Sequence, residues 1–386
     1  MMNGPGTLDK NAYHLDSLES LESPCLVVYQ ELVEENLAIL QREIEELIPG
    51  EGLSCLRPHV KTHKSSWATR LQLERGIDKF KCSPNELDML TEEGARDIFV
   101  AYPPLRPLAE KIARAVSQDR GLRILAQVSR IEHAEFLAEA AGRHDVDLHY
   151  LIDIDVGDHR TGLQPPEARA LLKALQDDDR LSRIHCEGLH AYDGHNHSSC
   201  PQERKECGYE AMESVVNVLG ELEEDGNRLK RLVVGGTPGS LPCLEALTRR
   251  NDIEADIEIS PGTFIYWDTR YDELMPGRFR LAALILARVM DRPTPRRITL
   301  DLGHKRWGID QGPVHLFSSP GLEVVKVSEE HTVLEHDGNS TLAIGDPVLI
   351  APRHVCATVN LWEEFHLVAA NGQLQGEPLA VTARNR

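Results

Sequence analysis

The sequence predicts an α/β protein in which a (β/α)₈ barrel is followed by an all-β domain. Eight short apolar or β-branched runs alternate with amphipathic helical patterns over about 200 residues, and strands that alternate with helices form parallel sheets or barrels. From about residue 270 the helical periodicity fades, and short alternating runs separated by Gly and Pro take over. These two patterns together predict the barrel and the second domain.

The barrel elements follow in chain order. The predicted strands are Cys55–Val60, Lys79–Cys82, Asp97–Ala101, Leu122–Val128, Leu148–Ile154, Ile184–His190, Arg231–Gly235 and Ile257–Ser260. The predicted helices include Pro84–Glu93, Leu105–Ser117, Ile131–Ala141, Pro166–Gln176, Gln202–Leu222 and Leu241–Arg249. A doubly wound open sheet is the alternative, but it does not need eight units and no G-x-G-x-x-G follows a first strand, so the barrel is favoured.

The second domain is predicted from its alternating runs. These are Leu281–Val289, Arg297–Leu302, Glu323–Ser328, Thr332–His336, Pro347–Ala351, Ala357–Leu361 and His366–Ala369. The predicted bounds are therefore 20–270 for the barrel and 271–386 for the β domain, with residues 1–19 packing on the latter. No low-complexity linker separates the two domains.

Composition excludes several classes of partner. The formal net charge of −20 argues against nucleic acids and anionic membranes, because both are polyanions. No apolar run approaches the ~20 residues of a membrane span. Eight cysteines are scattered without a CxxC pair, which suits a reducing compartment. The start of the chain carries neither a secretory signal nor a transit pattern, so we expect a cytoplasmic protein that acts on small molecules.

Lys61 lies in a basic segment at the end of the first predicted strand, and barrel enzymes carry their chemistry at the carboxyl ends of their strands. The neighbouring cations Arg57, His59, His63 and Lys64 disfavour a further positive charge, and a neutral amine can attack a carbonyl group. A solvated basic patch is the simpler explanation of this segment taken alone. The segment nevertheless offers a lysine that could form a Schiff base with a carbonyl cofactor.

Two glycine-rich turns follow the seventh and eighth predicted strands. They are Gly235-Gly236-Thr237 and Ser260-Pro261-Gly262-Thr263. Backbone N–H groups in such turns, together with a helix N-terminus, can hold a phosphate. A lysine opposite a phosphate-binding turn is what pyridoxal 5′-phosphate requires, so this cofactor is expected.

Five motifs resemble those of the D-threonine aldolase and D-serine dehydratase group, pyridoxal-phosphate enzymes that share the alanine racemase fold. The motifs are Arg57-Pro58-His59-Val60-Lys61-Thr62-His63-Lys64, Asp155-Val156-Gly157 with Arg160-Thr161-Gly162, Ala191-Tyr192-Asp193-Gly194, Gly235-Gly236-Thr237, and the run Pro352 to Leu361. The resemblance extends from Ser23-Pro24 to about Val368. It implies an alanine racemase-like barrel, a C-terminal β domain, and a homodimer with its active site between the barrel of one subunit and the β domain of the other.

The resemblance also implies roles for single residues. It makes Lys61 the Schiff-base lysine, counts His59 among the cofactor-binding residues, and places Tyr192 near the pyridine nitrogen and Arg160 near the ring or the substrate carboxylate. The phosphate would be held by Gly235, Gly236, Thr237, Gly262 and Thr263. A tyrosine in place of a cation at the ring nitrogen weakens the electron sink, so a metal is expected to assist.

His354 and Cys356 are two residues apart in a predicted strand, which would direct both side chains to one face. Imidazole and thiolate together suit zinc. Within the resemblance these two residues are implied as ligands of a divalent ion, zinc or manganese. With two protein ligands, positions stay open for the substrate's β-hydroxyl, on which the metal would act as a Lewis acid.

The fate of that hydroxyl separates two functions. An aldolase deprotonates it, with His197 or His195 as the base, and breaks the Cα–Cβ bond. A dehydratase removes the α-proton through Lys61, and the metal draws hydroxide away. Aldolases of the group usually carry an aspartate where Cys356 stands and dehydratases a cysteine, whereas Thr358-Val359-Asn360-Leu361 is closer to the aldolases. The resemblance therefore predicts a lyase of β-hydroxy D-amino acids, with D-threonine aldolase as the leading function and D-serine dehydratase as the alternative.

Two other classes share parts of this pattern. An amino-acid racemase would use Lys61 but needs a second base, and no racemase-type tyrosine is evident in the β domain. A non-catalytic pyridoxal-phosphate carrier would keep Lys61 and Gly235-Gly236-Thr237, but such carriers consist of the barrel alone. Neither class has a use for a stoichiometric divalent ion, so metal content separates them from the lyases.

Overall fold

The computed structural model describes residues 8, 13–16, 21–312 and 317–384. Much of the segment 1–19, which was expected to pack on the β domain, lies outside this part of the chain. The described residues form two units. The barrel unit comprises Gln41–Lys61 and Ala68–Gly262, and the β unit comprises the described residues of Met1–Leu40, Thr62–Trp67 and Thr263–Arg386.

The elements are numbered in chain order within the described residues. The strands are β1 Cys25–Tyr29, β2 Lys79–Cys82, β3 Asp97–Val100, β4 Arg123–Val128, β5 Leu148–Ile154, β6 Ile184–Ala191, β7 Arg231–Val234, β8 Asp256–Ile259, β9 Ala283–Thr294, β10 Arg297–Leu300, β11 Leu322–Val327, β12 Thr332–His336, β13 Pro347–Ile350, β14 Glu364–Val368 and β15 Leu379–Ala380. The α-helices are α1 Gln30–Leu47, α2 Ser66–Glu74, α3 Glu86–Glu92, α4 Arg106–Gln118, α5 Ile131–His144, α6 Ala168–Gln176, α7 Pro201–Glu224, α8 Ser240–Thr248, α9 Thr269–Leu274 and α10 Val355–Val359.

The barrel unit is built on a parallel sheet. Seven strands pair in the order β2-β3-β4-β5-β6-β7-β8, each with its neighbour in the sequence of strands. The strands are buried almost throughout, because helices cover the outer face and side chains fill the inner one. A cluster of Phe99, Leu125, Leu151 and Val233 joins β3, β4, β5 and β7 in the interior.

The prediction of a strand at Cys55–Val60 is wrong. This segment makes two isolated parallel bridges, Leu56 with Ile259 and His59 with Lys81, and then turns into a 3₁₀-helix at Val60–Thr62. Pro58 has no N–H group to donate, so a regular ladder cannot run through it. The segment nevertheless connects β8 to β2, since its main chain bonds to Ile259 on one side and to Lys81 on the other. We call Cys55–Thr62 the bridged segment.

Buried ion pairs fill the amino end of the barrel unit. Arg57 is fully buried and pairs with Glu258 and with Asp97, the latter at 2.8 Å. Arg231 lies 3.2 Å from the same Glu258 carboxylate and within 3.3 Å of Glu187. Arg57 is thus paired with two carboxylates in the interior, and its expected effect on the Lys61 amine stays a prediction.

The β unit contains a mixed sheet. Its strands run in the order β11-β12-β10-β9-β1-β14-β15, and β13 pairs with β9. The N-terminal β1 lies between β9 and β14, antiparallel to the first and parallel to the second. Most of the predicted runs in this part of the chain form strands. In the described residues, no helix has both the length and the apolar character needed to cross a membrane.

The prediction that His354 and Cys356 share a strand is wrong. Residues Val355–Val359 form the short helix α10, with His354 as its N-cap residue. The buried side chains Val355, Thr358 and Val359 have the i, i+3, i+4 spacing of a helix face. Asp268 accepts a hydrogen bond from the Val355 N–H at 3.1 Å and so satisfies a donor in the first turn.

Candidate active site

Lys61 is exposed at the carboxyl end of the barrel unit, within the 3₁₀ turn of the bridged segment. Its N–H donates to Nδ1 of His59 at 3.3 Å. His59 itself is bridged to Lys81 of β2 and donates its N–H to the Pro261 carbonyl at 3.0 Å. The main chain before Lys61 is therefore fixed to both neighbouring parts of the barrel, whereas the lysine side chain faces solvent.

Tyr192 follows β6 directly and is held between two cations. The Arg160 guanidinium carbon lies 4.9 Å from the ring centroid, and Lys81 Nζ lies 5.7 Å from it. Cations at such distances are attracted by the negative face of the ring. A Cβ at Gly236 would come within 2.7 Å of Tyr192 Cε2, so the glycine is needed for this packing. The barrel unit brings the predicted residues Arg160, Tyr192 and Gly236 together.

Behind Tyr192 lies a buried chain of polar groups that the sequence analysis did not select. Lys81 Nζ is 2.8 Å from His190 Nε2, and His190 Nδ1 is 2.6 Å from Asp153 Oδ1. Gln127 donates to the other Asp153 oxygen. Since a carboxylate only accepts, His190 donates from Nδ1 and accepts from Lys81 at Nε2. We call Lys81, His190, Asp153 and Gln127 the interior polar chain.

Burial shifts the pKa values within this chain. Burial, and then the charge of Lys61, lowers the pKa of Lys81 to about 7. Burial and the neighbouring Lys81 also lower the pKa of His190 to about 4, although Asp153 opposes the change. His190 is therefore neutral at physiological pH, and Lys81 titrates near it.

The glycine-rich turn after β7 encloses a buried carboxyl group. Asp193 accepts hydrogen bonds from the Gly236 N–H at 2.7 Å and from Asn196 Nδ2 at 3.1 Å. Burial outweighs these bonds and raises the pKa of Asp193 to about 6. A Cβ at Gly239 would lie 1.6 Å from the Asp193 carboxylate. The Gly236 N–H is thus engaged within the protein, which the sequence did not reveal.

The two turns after β7 and β8 meet, as a phosphate-binding site requires. The Gly262 N–H donates to Thr237 Oγ1 at 3.1 Å, and Gly235 adopts a positive φ of 74°. The hydroxyl of Ser260 is buried and has no hydrogen-bond partner among the described residues. An unpaired buried hydroxyl in the turn after β8 fits an oxygen-rich group such as a phosphate.

The two candidate base histidines are both exposed in the loop after β6. His195 Nε2 lies 3.4 Å from the Cys207 sulfur of α7. Its ring also covers Gly157, where a Cβ would come within 2.8 Å of it. Contacts with α7 and with the Gly157 turn therefore fix the position of the His195 ring.

The predicted metal ligands lie together in the β unit. His354 Nδ1 is 2.6 Å from Asp310 Oδ2, and Cys356 Sγ is 3.2 Å from Thr62 Oγ1. Burial lowers the pKa of His354, but Cys356 and Asp310 outweigh burial and raise it to about 9. The predicted phosphate ligand Thr263 has its hydroxyl 3.9 Å from the same sulfur.

These donors fit a divalent ion with open positions. A metal-binding histidine commonly donates its second ring N–H to a carboxylate, as His354 can to Asp310, which leaves Nε2 for the metal. The Cys356 thiolate is a suitable second ligand for zinc. The described part of the chain contains no group of three or more His, Cys, Asp or Glu side chains that could hold a metal.

The barrel with its exposed lysine and the separate β unit define a two-unit protein of the alanine racemase-like class. A family model described as the N-terminal domain of alanine racemase matches residues 32–269, and one described as a putative serine dehydratase domain matches residues 282–368. The chain belongs to the alanine racemase N-terminal domain family and, within it, to the group of D-threonine aldolases and D-serine dehydratases. The predicted fold class is confirmed.

Similar proteins carry both activities of that group. The chain is 27% identical to a D-threonine aldolase of Arthrobacter sp. over 92% of its length and 90% of that protein. It is 22% identical to a D-serine dehydratase of Dictyostelium discoideum over 93% of its length and 96% of that protein. The solved D-threonine aldolase of Filomicrobium marinum superposes with a TM-score of 0.83 at 26% identity, covering 94% of this chain and 96% of the other.

Proposed function

We propose that the protein is a lyase of β-hydroxy D-amino acids that depends on pyridoxal 5′-phosphate and a divalent metal ion. Its leading activity is the cleavage of D-threonine to glycine and acetaldehyde. The family and the printed activities of its relatives support the class of reaction. We further propose that the protein works as a cytoplasmic homodimer on small-molecule substrates.

One contact carries the proposal. Thr62, the residue directly after Lys61, has its hydroxyl 3.2 Å from the Cys356 sulfur. The lysine expected to bind the cofactor is therefore one residue along the chain from a group that touches the expected metal ligand. A racemase or a carrier has no need to couple these two features, whereas a β-hydroxy amino-acid lyase does.

The chain supplies the groups that hold the cofactor and move the proton at Cα. Bound pyridoxal phosphate supplies an electron sink for the bond broken at Cα. Lys61 would bind it covalently and exchange the proton at Cα, because an amine at this position is both nucleophile and base. Tyr192 would lie against the ring nitrogen, and Ser260, Thr237 and the start of α8 would hold the phosphate.

The β-hydroxyl decides the reaction. His354 and Cys356 would hold the metal against it, and His197 would accept its proton in the aldolase. The dehydratase stays as the second candidate because Cys356 stands where the resembling dehydratases carry a cysteine. In that case Lys61 removes the α-proton, and the oxygen leaves as hydroxide with its electron pair.

Product analysis tests the proposal. Purified protein with pyridoxal phosphate and zinc or manganese is incubated with D-threonine and, separately, with D-serine. Glycine and acetaldehyde from D-threonine support the aldolase, while 2-oxobutyrate or pyruvate with ammonia supports the dehydratase. L-alanine formed from D-alanine without either set of products would instead identify a racemase and overturn the proposal.

Two pairs of variants assign the residues. Lys61→Met is expected to abolish covalent attachment of the cofactor after borohydride reduction and to lower turnover by about 1,000-fold or more. Lys173→Met on the exposed face of α6 is the control and should change neither. His354→Gln is expected to lose the bound metal, measured by elemental analysis, and His331→Gln in an exposed turn should retain it. Full metal content in His354→Gln would contradict the proposed metal ligand.

A further inference from the structure

Lys81 is a buried lysine without a carboxylate partner. Its residue is 3% exposed, yet no described carboxylate forms an ion pair with it. Its hydrogen-bond partner is Nε2 of His190 at 2.8 Å, and its other neighbours are the rings of Phe99 and Tyr192 at 5.6 and 5.7 Å. Burying an ammonium group without a counter-charge is costly, so an unpaired buried lysine calls for an explanation.

Lys79, on the same strand, has a carboxylate partner and provides a comparison for Lys81. It lies two residues earlier on β2, so its side chain leaves the strand on the same side as that of Lys81. At the amino end of the barrel, Lys79 Nζ is 3.5 Å from the buried Glu258 carboxylate. Among the described residues, Lys79 thus has an ion-pair partner and Lys81 has none. Lys81 lies nearer the end of the barrel where Lys61 and Tyr192 are found.

The interior polar chain fixes the direction of the Lys81 amine. Asp153 accepts from His190 Nδ1, so His190 Nε2 carries a lone pair and accepts one N–H of Lys81. An ammonium group has three N–H donors, and this contact uses one of them. The remaining donors are available to a ligand beside Tyr192.

We propose that Lys81 binds an anionic oxygen of the small molecule held in the barrel, and that His190 and Asp153 are positioning residues that orient its amine. This inference rests on the proposed function. Two sources offer this chemistry, the carboxylate of the amino-acid substrate and the phenolate oxygen of the pyridoxal ring. Either would provide the ion-pair partner that Lys81 lacks among the described residues.

Proton uptake should accompany this binding. The charged and titratable groups that face Lys81 are Lys61, His190, Asp153, Arg160 and Asp193. Burial and Lys61 favour the neutral amine, with a pKa of about 7, and a bound anion favours the ammonium form. At pH 8 the protein is therefore expected to take up a proton as the anion binds, which calorimetry in buffers of different ionisation enthalpy detects.

The test compares ligands with and without the oxygen. In the first arm, cofactor-free full-length protein binds 4-deoxypyridoxine 5′-phosphate, which has the phenol but no aldehyde, or the same compound without its 3-hydroxyl. In the second arm, the cofactor-loaded protein binds D-alanine, which has no β-hydroxyl to react, or D-alaninol, which has no carboxylate. Affinities come from calorimetry and from the visible absorption of the cofactor.

Lys81→Met is expected to weaken binding of one oxygen-bearing ligand by about 10-fold to 100-fold and of its oxygen-free counterpart by less than about threefold. The arm that shows the difference identifies the oxygen. The same variant should raise the midpoint of thermal unfolding of the cofactor-free protein, because it removes a buried amine that has no ion-pair partner among the described residues. Lys79→Met is the matched control and should leave all four affinities within about threefold of the wild type.

Equal loss for the ligands with and without the oxygen, or no loss in either arm, would overturn the role of Lys81. If Lys81→Met does not fold, Lys81→Arg retains the charge and should keep the preference for the oxygen, while His190→Gln should reduce it. A wild-type protein that binds neither 4-deoxypyridoxine 5′-phosphate nor D-alanine would overturn the proposed function as well.

Discussion

At the scale of single residues, the carboxyl end of the barrel unit contains ionisable groups whose burial shifts their pKa values toward the neutral form. Asp193 keeps its proton to an unusually high pH, and Lys81 gives its proton up at an unusually low one. Both effects are due first to burial. Such groups reduce stability at neutral pH, and shifted pKa values are common where a protein binds ligands.

Asp193 should make stability depend on pH. Its pKa is about 6 in the folded protein against an ordinary 3.8, so the folded state retains a proton between these values that the unfolded state has released. Stability from this group is therefore complete below pH 3.8 and is lost as the pH rises through 6. Asp193→Asn should remove a decline of about 3 kcal/mol between pH 4 and 7, measured by urea unfolding.

Asp256→Asn, an exposed position at the start of β8, is the control and should leave the slope unchanged. The comparison concerns the slope and not the absolute stability, so a constant loss in Asp193→Asn does not affect it. A wild-type slope that persists in Asp193→Asn would show that this carboxyl does not titrate in the window.

At the scale of elements, the close packing of α8 on the Asp193 loop depends on the absence of side chains. Gly239 caps the helix, and the space a Cβ would occupy there is filled by Asp193 and by Asn196 Nδ2. A Cβ added at Gly208 of α7 would likewise lie 2.8 Å from the Cβ of Pro242 in α8. The loop and the two helices therefore form one tightly packed region.

Gly239→Ala should destabilise the protein by about 2 kcal/mol or more, because the methyl group must displace the Asp193 carboxylate and break its hydrogen bonds. Gly220→Ala is the matched change in the interior of α7, where nothing lies within 4 Å of the new Cβ. There we expect a gain of about 0.5 to 1 kcal/mol from helix propensity. Chemical denaturation of both variants measures the two effects, and equal signs would contradict the packing argument.

The sequence predicts regular elements better than it predicts the site. Strands and helices are set by local periodicity, and β2 to β8 lie close to their expected positions. The helix α10 was missed because one of its first N–H groups is satisfied by Asp268, 87 residues earlier in the chain. Lys81 was missed because strands buried on both faces show no alternation that would reveal which side chains point inward.

At the scale of the whole molecule, the two ends of the barrel unit differ in whether their buried charged groups form ion pairs. At the amino end, the single carboxylate of Glu258 contacts three cations, Arg57, Arg231 and Lys79. In the same region Glu187 contacts Arg123 and Arg231. A hydrogen bond from His149 and the charges of these two arginines outweigh burial and lower the pKa of Glu187 to about 2. Charges are compensated there, whereas Lys81 and Asp193 at the other end are buried and have shifted pKa values.

Glu258→Gln should therefore cost about 3 to 5 kcal/mol of unfolding free energy, because it leaves buried cations short of a counter-charge. The measurement is urea denaturation at pH 7. Glu92→Gln on the exposed side of α3 should change stability by less than about 0.5 kcal/mol. A loss below about 1 kcal/mol in Glu258→Gln would mean that the remaining carboxylates suffice.

The bridged segment is the part of the barrel unit between β8 and β2, and it makes few main-chain hydrogen bonds. Its amino part is anchored by the ion pairs of Arg57, whereas its carboxyl part depends on the few bonds around Pro58 and His59. Amide protons in native-state exchange report such local openings, and segments with few bonds open without global unfolding. We therefore expect low protection factors at Val60 to Thr62 in the cofactor-free protein and a marked rise on cofactor binding. The seven strands would keep their protection in both states, so the lysine could admit its cofactor while the rest of the barrel stays closed.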